Sequence, residues 1–418
     1  MMLSKSALEL CLELGMCVIL LGCGGSDDGS RAAQSGGAAG TASAGGAGKG
    51  GSAGSLAAGA GGSSSGGKAS SGGASSGGSG GSVVAPAGNW ANATGNLPML
   101  AGADAGEVTI ISAQPGTGRI IAGISKKGLF ATDDGGTTWI KLGTGAGSAP
   151  IDHGPLAIVY DPLDPTIFWE NGIYGSTGGV FKTIDNGVTF QRLGDISHND
   201  LVTVDFSDPD RKLLLAGGHE AKQKVFRSTD SGQSWTDIGS ALPADSSFSS
   251  DPLIIDTQTF LVGGCGFGGG TCGVVRSTDA GATWTRTTTD GATGRPLWAS
   301  NGSIYWTIIY DGGVTVSTDQ GVTWSKAGGP VQNMSGSQTE LPDGRIVTLG
   351  KTHLLQSADG GKTWTDIGEA LPFPGQNCNT YGFTYSAELK TFFINHNNCS
   401  GNLIADAVYS SGFDYTTN

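Results

Sequence analysis

The sequence has 418 residues, of which 75 are glycine, and a formal net charge of -13. The negative charge is spread without long acidic runs. It argues against nucleic acid as a ligand, and against any other polyanion that would need a positively charged protein surface. Charged residues make up only 14% of the chain, and together with the glycine content this excludes an ordinary helical globule.

The first residues have the pattern of an export signal. Lys5 supplies a basic start, an apolar run extends from Leu14 to Gly22, and Leu20 to Cys23 resembles a bacterial lipobox. The resemblance implies a lipoprotein signal peptide at residues 1–22 and a lipid on the sulfur of Cys23. We therefore expect an exported bacterial envelope lipoprotein, at the outer membrane or cell surface, whose only membrane contact is the lipid anchor. The alternatives are an ordinary signal peptide of a secreted protein and a start codon further into the chain.

Residues 23–88 have the composition of a tether. They are nearly all Gly, Ser and Ala, without an apolar period, so they cannot bury a core and are expected to be disordered. A chain of this length and type has an r.m.s. reach of roughly 40–50 Å. Residues 89–418 are therefore predicted to carry the folded domain.

Cysteine usage agrees with an oxidising compartment. Once Cys11, Cys17 and Cys23 are set aside with the signal and anchor, four cysteines remain. Cys265 and Cys272 flank a glycine-rich loop and are expected to pair with each other, which leaves Cys378 to pair with Cys399. The C-x-x-C spacing of a zinc site is absent.

Six segments of the domain repeat one pattern, Ser/Thr-x-Asp-x-Gly-x-Thr/Ser-Trp/Phe, which we call the box turn. Its aspartate can accept hydrogen bonds from nearby backbone N–H groups, its glycine can take a positive φ, and its aromatic ring can pack between sheets. Because each part acts locally, we predict that the aspartates are structural. They are Asp134, Asp185, Asp230, Asp279, Asp319 and Asp359.

The box turn resembles the Asp-box (BNR) repeat found in sialidases, xyloglucan-cleaving endoglucanases, sortilin-type receptors and photosystem-assembly propellers. The resemblance implies a β-propeller, and the repeat period of about 40–50 residues agrees with it. Each unit reads as four antiparallel strands, for example LVTVDF, KLLLAG, KVFRS and SWTDIG between Leu201 and Gly239.

The two ends of the domain complete each other. The C-terminal tail contains three strand-like runs but no fourth, whereas Asn89 to Pro98 aligns with the outer-strand segments Ser234 to Pro243 and Thr363 to Pro372. We therefore predict an all-β, seven-bladed propeller whose last blade combines three C-terminal strands with one N-terminal strand that follows Trp90.

In this topology the box turns lie on one face, the box face. The connections from second to third strands and from blade to blade lie on the opposite face, the loop face. All five histidines fall in connections of the second kind, so the loop face is the predicted functional surface. The candidates for acid–base work are Glu170, His198, His219, Glu220 and Asp311. The candidates for substrate contact are Tyr174, Arg295, Trp298, His153, Asn333, His353, Tyr381 and His396.

Two functions are compatible with these candidates. The first is a monomeric carbohydrate-active propeller that binds a polysaccharide and could cleave it as a hydrolase or lyase does. The second is a non-enzymatic module that holds a surface protein on the same face. A true sialidase is not expected, because the arginine-containing segment before the first box turn and the substrate-gripping arginines of that family are missing. The sequence predicts no cofactor and does not identify a metal ion.

Overall fold

The computed structural model describes residues 89–418 except 177, 247–248, 266–269, 310–311, 328–337, 373–379 and 397–402. The predicted signal peptide and tether, with Cys23, lie outside these residues, and so do Asp311, Asn333, Cys378 and Cys399. The side chain of Tyr381 is likewise not described. Within the described residues no helix has the length and apolar character needed to cross a membrane.

The described chain begins with strand β1 (Ala91–Asn92) and a single short helix α1 (Leu97–Ala101). The next strands form three four-stranded blades, each in chain order. Blade 1 consists of β2 (Val108–Ala113), β3 (Ile120–Ile124), β4 (Gly128–Thr132) and β5 (Ile140–Lys141), blade 2 of β6 (Gly154–Tyr160), β7 (Phe168–Ile173), β8 (Val180–Thr183) and β9 (Gln191–Leu193), and blade 3 of β10 (Asn199–Val204), β11 (Leu214–Gly218), β12 (Val225–Ser228) and β13 (Thr236–Asp237).

Four further blades follow, and a 3-10 turn at Gly239–Ala241 precedes the first of them. Blade 4 consists of β14 (Asp251–Ile254), β15 (Phe260–Gly264), β16 (Gly273–Ser277) and β17 (Thr285–Thr288), blade 5 of β18 (Ala292–Trp298), β19 (Ile304–Ile308), β20 (Gly313–Ser317) and β21 (Ser325–Lys326), blade 6 of β22 (Gln338–Glu340), β23 (Ile346–Leu349), β24 (Leu354–Ser357) and β25 (Thr365–Ile367), and blade 7 of β26 (Thr380–Ser386), β27 (Thr391–His396), β28 (Val408–Gly412) and β1. The protein is therefore a seven-bladed β-propeller, as predicted.

First strands of successive blades pack on one another, and β26 packs on β2, so the first strands line the inner wall of a closed ring. The second and third strands carry the core, because they are covered on both sides by neighbouring blades. Strands β3 and β4, for example, are buried at every residue. The apolar clusters accordingly lie between adjacent blades rather than in one central core.

The predicted closure between the chain ends is confirmed. Strand β1 pairs antiparallel with β28, with Ala91 opposite Ser410 and Asn92 opposite Tyr409. The pairing continues at Ala93, whose N–H donates to the carbonyl of Val408 at 2.8 Å. This N-terminal strand covers an edge of blade 7 that would otherwise present unpaired backbone groups.

The box turns share one hydrogen-bond pattern. In all six, the aspartate Oδ1 accepts the N–H four residues later at 2.8–2.9 Å. It also accepts the hydroxyl of the Ser or Thr two residues earlier at 2.8 Å. In the turn of blade 3, the hydroxyl and N–H of Ser234 and the hydroxyl of Ser228 lower the pKa of Asp230 to about 2. The carboxylate therefore serves the turn.

The glycine of the box turn is required by space as well as by conformation. Gly136 has a φ of 99°, and a Cβ at this position would lie 2.3 Å from the carbonyl oxygen of Ala93. The indole of Trp139 is buried beside it and donates from Nε1 to the same carbonyl at 3.1 Å. The turn of blade 1 is thereby joined to the N-terminal segment that closes the ring.

Candidate acid-base site on the loop face

The connections that contain His198 and His219 lie at the loop face, as the strand topology requires. His198 precedes β10 and His219 follows β11, so both belong to connections at that face. The N–H of His219 donates to the carbonyl of His198 at 2.7 Å, which joins the two connections directly. Tyr174 follows β7 of the neighbouring blade and comes to the same place.

Four side chains form a continuous polar chain here, which we call the loop-face network: Asp200, His219, Tyr174 and Glu220. The Nδ1 of His219 lies 2.5 Å from Oδ1 of Asp200, and its Nε2 lies 2.8 Å from the phenol oxygen of Tyr174. The same phenol oxygen lies 3.1 Å from Oε1 of Glu220. Because Nε2 and Oε1 are themselves 3.8 Å apart, the tyrosine hydroxyl is the bridge between them.

The number of protons in this network follows from its geometry. The carboxylate of Asp200 accepts from Nδ1–H, so Nε2 of a neutral His219 can only accept. A single phenol proton cannot then serve both Nε2 and Glu220. All three contacts are hydrogen bonds at once only when one further proton is present, either on Nε2 of His219 or on the carboxyl of Glu220. One added proton on either group would thus complete all three hydrogen bonds.

The charges around His219 favour its protonated form. Burial by itself would lower the pKa of His219, but the hydrogen bond and charge of Asp200, with the charge of Glu220, raise it above its ordinary value. Exposure increases along the network, because the side chains of Asp200 and His219 are 14% and 13% exposed and that of Glu220 is 39% exposed. The end of the network that faces solvent is thus Glu220.

Backbone conformation sets this site apart from the loops around it. Tyr174, His198 and Glu220 have φ values of 56°, 54° and 47°, in the left-handed region that residues with a side chain rarely occupy. Residues held in such conformations cluster at functional sites, where surrounding structure maintains them. Here the three strained residues come from three different connections and their side chains point to one another, since the Tyr174 ring lies 6.0 Å from that of His198.

Asp251, at the start of β14, is a site residue that the sequence reasoning did not single out. Burial raises its pKa well above the ordinary value, the charge of Asp200 raises it further, and the N–H of Gly294 donates to its Oδ2 at 2.9 Å. The sequence could have indicated it only by position, because Asp200 and Asp251 lie at the beginnings of the first strands of adjacent blades. Asp251 thus adds a second carboxyl beside Asp200, one that is harder to ionise than an ordinary aspartate.

The expectation that Glu170 lies in a connection at the loop face is wrong. Glu170 lies inside β7, fully buried, and its Oε1 is 2.8 Å from Nε2 of His153, which is also fully buried. The charge of Glu170 raises the pKa of His153 against the opposing effect of burial. His153 and Glu170 are therefore a pair in the protein interior, and neither is placed to touch a ligand on the surface.

Three other candidates lie away from the loop-face network. Trp298 is 43% exposed but ends β18 beside the turn to β19, so it belongs to the box face and not to the loop face. His396 is buried at the end of β27, and burial lowers its pKa. His353 contacts its own blade, with Nδ1 3.0 Å from the hydroxyl of Thr352.

Arg295 occupies the middle of β18 and lies in the central channel. Its Nη1 donates to the backbone carbonyl of Ile158, in β6, at 2.8 Å. Arg295 is thus directed across the ring and not toward Glu220. Within the described part of the chain, no group of three or more His, Cys, Asp or Glu side chains could hold a metal ion.

A disulfide supports the neighbouring loop. Cys265 and Cys272 are bonded, and the adjacent Thr271 donates its N–H to the carbonyl of Asp245 at 2.6 Å. In the same connection between blades 3 and 4, the hydroxyl of Ser249 accepts the N–H of Glu220 at 3.2 Å. The backbone of Glu220 is therefore braced by a segment that the disulfide hairpin contacts.

Comparison with known proteins identifies the architecture. Residues 253–416 match the DUF6242 beta propeller domain, whereas no curated protein matches the chain. A GH74 enzyme from Niastella koreensis is similar in structure, with 15% identity and a TM-score of 0.51 over 74% of this chain and 44% of that one. An ancestral GH74 enzyme has 14% identity and a TM-score of 0.52 over 77% and 46% of the two chains.

An extracellular domain of a two component system has the same fold. The extracellular domain of a hybrid two component system from B. thetaiotaomicron is 10% identical, with a TM-score of 0.52 over 75% of this chain and 39% of that one. The present chain thus spans less than half the length of each of these three structures. At such identities the similarity concerns the propeller fold.

Proposed function

We propose that the loop face of this propeller binds a neutral polysaccharide and hydrolyses it by acid–base chemistry at Tyr174, His219 and Glu220. The observation that carries the proposal is the hydrogen-bond chain that runs from Asp200 through His219 and Tyr174 to Glu220. Glycoside hydrolysis needs a group that protonates the leaving oxygen and a group that takes a proton from water. A network in which one proton passes between an imidazole and a carboxylate can supply both a proton donor and a proton acceptor near neutral pH.

Each residue has a separate part in this chemistry. Glu220, the more exposed of the two carboxylates in the network, donates the proton to the glycosidic oxygen as the bond to the anomeric carbon breaks. Water adds to that carbon, and its proton returns to the network. Tyr174 passes the proton between Glu220 and His219, while Asp200 holds Nδ1 of His219 and so fixes which nitrogen faces the tyrosine.

The charge of the site favours a neutral substrate. Asp200 and Glu220 are carboxylates, Asp251 stands behind them, and the chain as a whole is acidic. A glycan rich in uronic acids would be repelled unless a cation neutralised it, and Arg295 points across the channel to Ile158 instead. The ring of Tyr174, 43% exposed, offers a flat apolar surface for a sugar ring.

We further propose that the protein works outside the cytoplasm, attached through lipid on Cys23 and the tether at residues 23–88. The lipobox-like sequence supports this, and so does the disulfide between Cys265 and Cys272, since such bonds persist in oxidising compartments. The extracellular location that is named for one structural relative agrees with it.

The proposal is tested by release of reducing ends from a panel of neutral and acidic polysaccharides. We expect turnover on a neutral glycan and its loss in Glu220→Gln. The control is Glu388→Gln, an exposed glutamate in the turn between β26 and β27 on the box face, which should retain full activity.

Absence of turnover across the whole panel would contradict catalysis. Saturable binding of a polysaccharide without product would preserve only the binding half of the proposal. Binding of a protein and of no glycan would instead favour the second function that the sequence allows, an interaction module.

A further inference from the structure

Arg295 is held inside the ring and not on either surface. It lies in β18, the first strand of blade 5, and donates to the carbonyl of Ile158 in β6, the first strand of blade 2, at 2.8 Å. Blades 2 and 5 are separated by two blades on one side and three on the other. The guanidinium therefore spans the central channel from one wall to the opposite one.

The charge of Arg295 lacks the partner that half of the eight arginines in residues 89–418 have. Arg119, Arg211, Arg286 and Arg345 each form an ion pair with an aspartate at 2.7–3.0 Å. Among the described residues, Arg295 has no carboxylate within 4.0 Å, and its Nη1 donates to an uncharged carbonyl. A guanidinium has five N–H donors, so one backbone carbonyl does not satisfy it.

Tyr160 does not compensate this charge. It ends β6 near Arg295, and the cation acts to lower its pKa, but burial raises the pKa of the phenol well above its ordinary value. The phenol is thus neutral. The channel walls also act on Arg295 itself, whose pKa is lowered because they displace water around the guanidinium, although the residue is exposed to the solvent of the channel.

We propose that the central channel binds one small monovalent anion, such as chloride, bromide, nitrate or formate, on the guanidinium of Arg295. A cation that crosses the channel without a counter-charge attracts an anion that is small enough to enter. The size limit follows from the geometry, because a side chain that reaches the opposite wall leaves no room for a polysaccharide chain. The site is separate from the loop-face network and does not depend on the proposed function.

Crystals of the full chain grown or soaked with bromide test the site directly. We expect an anomalous peak beside the Arg295 guanidinium. In solution, replacing a bulky anion by bromide at constant ionic strength should raise the melting temperature by on the order of 2 °C, and Arg295→Met should abolish that increase.

Arg276→Met is the matched control. Arg276 also donates to a backbone carbonyl, that of Gln320 at 3.0 Å, but it lies in the third strand of blade 4 and not in the channel. It should keep the bromide effect. Equal loss of the effect in both variants, or bromide found elsewhere and not at Arg295, would overturn the proposal. If Arg295→Met does not fold, two other results decide the question. They are the bromide effect in Arg295→Lys, which keeps the positive charge, and the anomalous peak in crystals of the unaltered protein.

Discussion

The phenol oxygen of Tyr174 lies 2.8 Å from Nε2 of His219, although the two residues belong to neighbouring blades. Each residue follows the second strand of its blade at the same distance, since β7 ends at Ile173 and β11 at Gly218. The repeat therefore supplies two equivalent positions, and the ring brings them into contact. One position carries a hydroxyl and the other an imidazole, so their contact can transfer a proton.

Replacing Tyr174 by phenylalanine should remove the proton bridge while leaving the ring in place. His219 and Glu220 would remain 3.8 Å apart, too far for a direct hydrogen bond. We expect kcat to fall by about 100-fold or more, within the range of general acid–base effects, with little change in the melting temperature. Unchanged kcat and pH dependence would show that the hydroxyl takes no part in catalysis.

The titration of His219 should depend on Asp200. Because the pKa of His219 is raised in the folded state, its protonation stabilises the protein fully below the unfolded value of about 6.5. This contribution is lost as the pH rises through the higher folded value. In Asp200→Asn the folded pKa should fall toward or below the unfolded one, measured by NMR of the imidazole. A titration identical to that of the unaltered protein would contradict the charge pairing.

Breaking the interior pair should be strongly destabilising. Glu170→Gln leaves His153 buried without an opposite charge, and loss of one partner of a buried pair costs about 3–5 kcal/mol. Urea unfolding measures the change. Asp237→Asn, which breaks a partly exposed contact with Lys224, is the comparison and should cost at most about 1 kcal/mol. Equal losses of stability in the two variants would show that burial of the ion pair does not determine the cost of breaking it.

The N-terminal strand should be needed for a closed, monomeric ring. A chain that starts at residue 89 keeps β1, whereas one that starts at residue 95 exposes the edge of β28. We expect the second chain to unfold at a lower temperature and to self-associate through that edge. Sedimentation and thermal unfolding of the two chains make the comparison. Identical behaviour would mean that β1 contributes little to closure.

The disulfide should affect both stability and the position of Glu220. Joint replacement of Cys265 and Cys272 by serine opens a loop with a sequence separation of 7, for which chain entropy predicts a loss of about 2 kcal/mol. Since the neighbouring loop braces the Glu220 backbone through Ser249, we also expect the pH profile of turnover to change. A stability loss without any change in that profile would limit the disulfide to a structural role.

The limits of the sequence reasoning are clearest at Glu170 and Trp298. The strand pattern of the sequence places both in connections at the loop face. The structure extends β7 to Ile173 and β18 to Trp298, so Glu170 is inside a blade and Trp298 is at the box face. Strand ends are set by pairing with neighbours, and a local glycine does not end a strand whose partner continues.

Asp251 shows the opposite limitation. Nothing in its local sequence distinguishes it from the many other aspartates, and its altered pKa arises from burial and from Asp200, which belongs to another blade. A contact between blades depends on the curvature of the ring, which no single repeat encodes. The same holds for Arg295 and Ile158, which are 137 residues apart in the chain.

The sequence by itself determined the number of blades, the closure by a strand near Trp90 and the face on which the histidines emerge, because repeat length, turn chemistry and strand alternation are local properties. Only the tertiary structure decided which of those side chains meet. Convergence of Tyr174, Asp200, His219 and Glu220 requires adjacent blades to be placed within hydrogen-bond distance, and that placement comes from packing between sheets and not from any segment alone.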